Sequence, residues 1–491
     1  MGVQQELFET KNRPEGKGFR VVEEADGSIS VYAGDTVLVG PNTTPVTANV
    51  IPGDGGIGNS SKRGTQILTM GGRGVDIAPL GRRSAIAKRR IYGQVSNAAT
   101  TLCFFQTIRA PAHFDAVQIV LTGSGSSAAN AFKASVAPMA KWNNGYMPVD
   151  AANAAITPTA VTWGSTDKAN FRNPGGGAAT ATVENASGAG VTLIEGSVVS
   201  DWIDCQSLDR VDDPSKPPLL HLRLYGVNPP GISVTESGSA IANPFSSAEP
   251  EFYSGYLTGD FTGGGTPGAA PNQGWLPCVE IRFLLRGERA ISAAFAGDSI
   301  EQGWVASTAV PQFGGLINGW GRRFVAAMNA AGVPTGHVDL AKAGDKSPQF
   351  HNRAYNSILN GGLTHIFIKP WSVNESGDGI ASVKPALART SKLIELAYEK
   401  RVRPIIIQPW AGQATTSDMG IAVAAFCDQL RATGVDVFDA RSIVGDGNAM
   451  YDKWLTVNSS GAVVDTTHPN AACHQAIADY LFSIRQNFGL I

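Results

Sequence analysis

Charge is scarce in this sequence of 491 residues: Asp, Glu, Lys and Arg make up 16% of it, against about 25% in an average globular chain. The formal net charge is −2, so no basic field steers the molecule toward nucleic acid or an anionic membrane, and neither partner is expected. No stretch approaches the roughly 18 consecutive apolar residues of a membrane span. The first 20 residues carry Glu6, Glu9 and Glu15 where a signal peptide would need an apolar region, so a soluble, unprocessed chain is expected. Cysteine is sparse too. Cys103, Cys205, Cys278, Cys427 and Cys473 are widely spaced with no CxxC pair, which excludes a disulfide framework and a zinc ribbon and leaves buried thiols as the expectation. No phosphate-cradling GxxxxGK[ST] loop and no metal-ligand spacing occurs, so no metal or cofactor is expected.

What the chain has in excess is glycine, 57 residues, or about 12% where roughly 7% is usual. With Pro, Ala, Ser and Thr these crowd the first 290 residues, the composition of turn-rich β structure. Residues 1–92 read as a small β-rich module, with a hairpin signal at Asp26-Gly27 between Phe19 and Tyr32. The basic run Arg82, Arg83, Lys88, Arg89 and Arg90 reads as a solvated linker at its end. Residues 93–287 alternate with period 2, as in Leu220, Leu222 and Leu224 against His221, Arg223 and Tyr225, or Val279, Ile281 and Phe283 against Glu280 and Arg282. That pattern predicts an antiparallel β-sandwich.

From residue 288 onward, short apolar runs alternate with helical stretches. Strands are predicted at 291–296, 337–341, 365–370, 404–408 and 435–439, and helices near 319–331, 382–400, 421–433 and 469–488. Five strands with crossovers make a doubly wound α/β domain with a five-stranded parallel sheet, whose ligand site lies beyond the C-terminal strand ends.

Those ends hold the reactive side chains. The first strand leads into Gly297-Asp298-Ser299-Ile300, with a hydroxyl at a tight turn; such a serine is also a common helix cap. Near the C-terminus stand Asp465 and His468, three residues apart, where a carboxylate can fix an imidazole tautomer or simply cap the last helix. Gly344 and Asn374 follow the second and third strands and can donate to an oxyanion or form ordinary turns. All four elements fall in one domain, in order, on the ligand-binding face.

The region 291–491 resembles the SGNH (GDSL-like) hydrolase family, whose four blocks supply Ser, Gly, Asn and His. They correspond here to Ser299, Gly344, Asn374, and the pair Asp465 and His468. The third block departs from the family's GxND, reading Ser372, Val373, Asn374, Glu375. The resemblance implies a flavodoxin-like α/β fold and a serine esterase without metal or cofactor. In it Ser299 is the nucleophile, His468 the general base and acid, Asp465 its orienting partner, and Ser299, Gly344 and Asn374 the oxyanion hole. Trp304, Trp371 and Trp410 lie just beyond strand ends and border a sugar-binding pocket or else pack in the core or at its rim.

Nearly 200 residues of polar β structure ahead of such a domain resemble the accessory sandwiches of carbohydrate esterases, which points to an O-acetylated polysaccharide as substrate. A β-rich N-terminal portion without a signal peptide also resembles phage tail-spike deacetylases, placing the protein in a virion, and then as a homotrimer; otherwise the cytoplasm is expected. The rival readings are a non-catalytic glycan-binding or virion structural protein with a degenerate SGNH domain, and an intracellular hydrolase of small esters. With the switch in periodicity near Gly287 the two halves need not share one core, so a fragment beginning near Glu288 is expected to hydrolyse a small acetyl ester at a comparable rate and to fail on polymer.

Overall fold

A computed structural model describes five strands before residue 100, and then residues 101–490 apart from 125–130, 144–145, 164–168, 171–177, 185–189, 228–251, 266, 268–271, 274–278, 287–289, 305–318, 411–417, 446–448 and 458–459. Four N-terminal strands, β1 (Gln5–Glu9), β2 (Phe19–Glu23), β3 (Ile29–Ala33) and β4 (Thr36–Val39), pair in sequence order as an antiparallel sheet of their own. The expected hairpin is present as β2 and β3, with Arg20 opposite Tyr32. Its Asp26-Gly27 turn lies outside the described residues, as does Cys278; the other four cysteines are buried and free.

β5 (Ile86–Ile91) overturns the linker reading of the basic run. It pairs antiparallel with a strand near residue 280 and parallel with one near residue 338. The strands that follow are β6 (Thr101–Arg109), β7 (Phe114–Ser124), β8 (Ala131–Met139), β9 (Ala178–Glu184), β10 (Gly190–Val199), β11 (Leu219–Val227), β12 (Phe252–Thr258) and β13 (Val279–Leu285). In one sheet β8, β11, β6 and β12 are neighbours; in the other, β9, β10, β7, β13 and β5. The alternation in the sequence explains their packing. Leu220, Leu222 and Leu224 meet Ile281, Phe283, Val117 and Ile119 in one apolar core between the sheets. Each such side chain contributes about 1.5–3 kcal/mol when fully buried.

The second of these sheets does not stop at β5. It continues into β14 (Ile291–Ala296), β15 (Thr335–Asp339), β16 (His365–Ile368), β17 (Arg403–Ile407) and β18 (Asp436–Phe438), in the spatial order β5-β15-β14-β16-β17-β18. Each of the five expected α/β strands is found, mutually parallel, in the 2-1-3-4-5 order of a flavodoxin-like sheet. Helices α1 (Ser299–Gln302), α2 (Trp320–Ala330), α3 (Ser347–Leu359), α4 (Val383–Glu399), α5 (Asp418–Ala432) and α6 (Ala471–Ser483) supply the crossovers and the C-terminal helix. One face buries Phe295, Phe367 and Ile405 against Trp320, Phe324 and Ile477, and the other buries Ala294, Ile366 and Ile406 against Ile358, Leu387 and Ile394.

Helix α3 escapes the sequence reading because its buried face mixes polar with apolar residues: His351, Asn352, Arg353 and Ser357 are enclosed beside Phe350, Ala354 and Ile358. Its end also covers the outer face of β13, where Arg282 donates to the Asn360 carbonyl at 2.7 Å. The polar face of β13 thus turns toward protein, not solvent.

Candidate active site

Three strand exits and the C-terminal turn converge. β14 ends at Ala296, and the chain turns through Gly297 into α1, which begins at Ser299. A Cβ at Gly297 would fall on the Glu301 side chain, so any larger residue there would displace that carboxylate from its partners. Asp298 caps α1 by accepting the Ile300 N–H at 3.1 Å. The Ser299 Oγ lies 2.8 Å from His468 Nε2, and His468 Nδ1 lies 2.7 Å from Asp465 Oδ2.

Asp465 is held in turn. Its Oδ1 accepts the N–H groups of Thr467 at 2.7 Å and His468 at 3.0 Å. Burial raises its pKa, but the bonds from His468 and Thr467 outweigh this and hold it below the usual carboxylate range. Helix capping falls to Asn470, whose side chain accepts the Cys473 N–H. An ionised Asp465 takes the Nδ1–H, which leaves Nε2 to accept the Ser299 hydroxyl proton.

Gly344 lies in the loop after β15 with φ of +80°, a left-handed conformation that favours glycine. That loop is tied to α1 by the Ala343 N–H donating to Gln302 Oε1 at 2.7 Å. Asn374 follows β16 in a 3₁₀ turn over Val373–Asp378, and its Nδ2 donates to the Asp345 carbonyl at 2.9 Å. One of its two amide hydrogens is thereby used and the other is left for a ligand. The backbone N–H groups of Ser299 and Gly344 donate to no other described residue.

The three tryptophans separate. Trp304 is half-buried, its ring centroid 6.2 Å from that of His468. The pocket-bordering reading of Trp371 and Trp410 fails, since they are 1% and 0% exposed. Trp371 packs under α4 and donates Nε1–H to Ser382 Oγ at 3.1 Å, while Trp410 stands edge-on to Trp320. An enclosed indole has no face to offer a sugar.

A group missed in the sequence lies directly beneath Ser299. Lys369, on the residue after β16, donates to Asp298 Oδ1 at 2.8 Å and to Glu301 Oε2 at 3.2 Å. All three side chains are enclosed, at 0–1% exposure. Asp298 Oδ2 accepts the Ser372 hydroxyl at 2.6 Å, and Ser372 Oγ accepts the Asn374 N–H at 3.2 Å. Glu375, where the SGNH pattern has Asp, accepts from Ser347 N and Oγ at 2.9 Å and from Ser372 N at 3.2 Å. It therefore joins the start of α3 to the Asn374 turn. The available signals were two D/S-x-x-E capping boxes, at Asp298 and Ser372, and a lysine closing an apolar strand. No group of three His, Cys, Asp or Glu among the described residues could hold a metal ion. No helix among them is long and apolar enough to cross a membrane.

No protein-family model matches the chain. No curated protein matches it either. Similar solved structures include an esterase, EstA, from Pseudoalteromonas sp., at 13% identity and a TM-score of 0.30, covering 40% of this chain and 96% of the other. A mutant of an acetyl-xylooligosaccharide esterase from Geobacillus is similar at 18% identity and a TM-score of 0.30, over 40% of this chain and 93% of its own. A Bacillus subtilis protein, YXIM, extends over 82% of this chain and 88% of its own at 12% identity, with a TM-score of 0.33. At such distances the chemistry must be read from the site's own geometry.

Proposed function

We propose that this protein is a serine ester hydrolase of the SGNH type. The observation that carries the reading is the continuous Ser299–His468–Asp465 hydrogen-bonded chain, with steps of 2.8 and 2.7 Å, at the C-terminal edge of a parallel sheet. Ser299 Oγ attacks the acyl carbon as its proton passes to His468 Nε2. The alcohol leaves with that proton, and water then repeats the sequence on the acyl-enzyme. The Ser299 and Gly344 N–H groups and the free amide hydrogen of Asn374 receive the oxyanion.

The favoured substrate is a short acyl ester, acetyl foremost, on a bulky polysaccharide alcohol. Gly344 and Asn374 are exposed, which suits an acyl group presented by a large substrate at the surface. The half-buried Trp304 beside His468 offers the one aromatic face, of the three considered, that a sugar ring could reach. The β region of residues 93–287 is then a sandwich that helps hold the polymer.

The test is release of acetate from acetylated xylan and turnover of 4-nitrophenyl acetate by the wild type and by Ser299→Ala. The variant should lose all but a trace of both activities, with a thermal melt within a degree or two of wild type, because the substitution removes one oxygen and its hydrogen bond to His468 and leaves the backbone turn in place. Turnover near the wild-type rate would refute the nucleophile assignment. An inert wild type would refute the esterase.

A further inference from the structure

The three buried charges under the nucleophile are more than a stability feature, because of what they connect. Lys369 leaves the end of β16, the strand that leads to Asn374, and reaches back to Asp298, the residue before Ser299. The Asp298 carboxylate takes three donors, Lys369, Ser372 Oγ and the Ile300 N–H. Ser372 in turn fixes the Asn374 N–H. Nucleophile turn and oxyanion amide thus hang from one carboxylate whose charge a single ammonium balances. Glu301 shares that ammonium, and its Oε1 is buried without a hydrogen-bond partner.

Resting on the esterase reading, we propose that Lys369 is a positioning residue for ester hydrolysis. It locks the Ser299 turn to the Asn374 turn and cancels the negative charge that Asp298 would otherwise place beneath the developing oxyanion. An unbalanced anion in an enclosed site opposes a second negative charge far more strongly than it would in water. The charged groups acting on Glu301 are Lys369, just past the end of β16, and Asp298, on its own turn. Burial pushes Glu301 up to about 7, with Lys369 pulling it back and Asp298 adding to the rise. Below that pH the trio is neutral as a whole; above it the trio carries a net negative charge.

Lys369→Met should lower kcat on 4-nitrophenyl acetate by about 10- to 100-fold, the scale of a misplaced reacting group, with KM changed less than about threefold. Adding Glu301→Gln to it should restore at least about fivefold of kcat, because one of two unpaired buried carboxylates is removed. A merely structural lysine would not give a loss confined to kcat, nor a rescue by lowering charge. Glu301→Gln alone keeps Lys369 and the acceptor for Asp298 N, so it reads the same charge where Lys369→Met does not fold. Its kcat relative to wild type should rise as pH passes through about 7. A ratio that stays flat from acid to alkaline pH, or a folded Lys369→Met with unchanged kcat, overturns the proposal while leaving the esterase standing. A wild type inert toward esters overturns both.

Discussion

Asn374 shows what a single residue contributes here. Its side chain is half committed to the Asp345 carbonyl and its backbone N–H to Ser372, so in the proposed mechanism the remaining amide hydrogen is held in place before any substrate arrives. Preorganised donors of this kind act mainly on the transition state, so Asn374→Ala should lower kcat by about 10²–10³ with KM little changed. A rise in KM alone, measured on 4-nitrophenyl acetate, would make Asn374 a ground-state contact instead. Ser299, Gly344, Asn374, Asp465 and His468 stood out in the sequence because they fall in order at strand exits and in the last turn, and the structure joins three of them, Ser299, His468 and Asp465, by hydrogen bonds. Lys369 and Glu301 were not. A lysine closing an apolar strand reads as a solvated tip, and nothing in sequence brings it to Asp298, 71 positions away. Trp371 and Trp410 were misplaced for a related reason: an aromatic residue at a strand exit has the same pattern whether its ring turns outward or into the core.

Among the elements, α3 was hidden and β5 was misread, both because polar residues stand where periodicity expects apolar ones. Arg353 of α3 donates to the Leu340 carbonyl and pairs with Asp345, so the polar face of this helix braces the Gly344 loop. β5 carries Lys88, Arg89 and Arg90 inside a sheet, where a run of basic residues alone points to solvent. The strands and helices also hold imidazoles that the chemistry does not use. His365 of β16 is enclosed between Thr364 Oγ1 at 2.8 Å and the Phe488 carbonyl at 3.2 Å. Burial, then the nearby Arg403, lowers its pKa to about 3, with the Phe488 carbonyl opposing. An unfolded histidine titrates near 6.5. Between those values the unfolded chain binds the proton and the native one does not, so stability is full above about 6.5 and declines as pH falls toward 3. His365→Gln removes that proton. In denaturant titrations, the wild type should lose about 1.4 kcal/mol per pH unit relative to the variant below pH 6.5. A stability difference between the two that does not change with pH would mean that His365 is not held neutral.

At the scale of the whole molecule, the change of periodicity near residue 287 marks a change of architecture without a break in the sheet. β5 is why. It pairs with β13 at six positions, from Val279 opposite Ile91 to Leu284 opposite Ile86, and meets β15 at Arg90 and Val338. A strand from the first hundred residues therefore joins the antiparallel strands to the parallel ones, a connection that no local pattern announces. The expectation that a fragment from Glu288 keeps its turnover of a small ester must change accordingly, since that fragment leaves β15 as an unpaired edge beside β14, the strand that leads to Ser299. The sharper comparison is between chains beginning at residues 85 and 93. Of the described strands the first loses only β1–β4, which pair with one another and with no other described strand. It should keep a cooperative melt and wild-type turnover of a small ester. The second also loses β5. At about 1 kcal/mol net per backbone hydrogen bond, six antiparallel positions represent roughly 6 kcal/mol, comparable with the whole stability of many domains. The chain from residue 93 should aggregate or melt far lower, with ester turnover lost in step. Equal melts for the two shortened chains would show that the α/β sheet closes without β5, and that the continuous sheet is not what holds the proposed esterase site together.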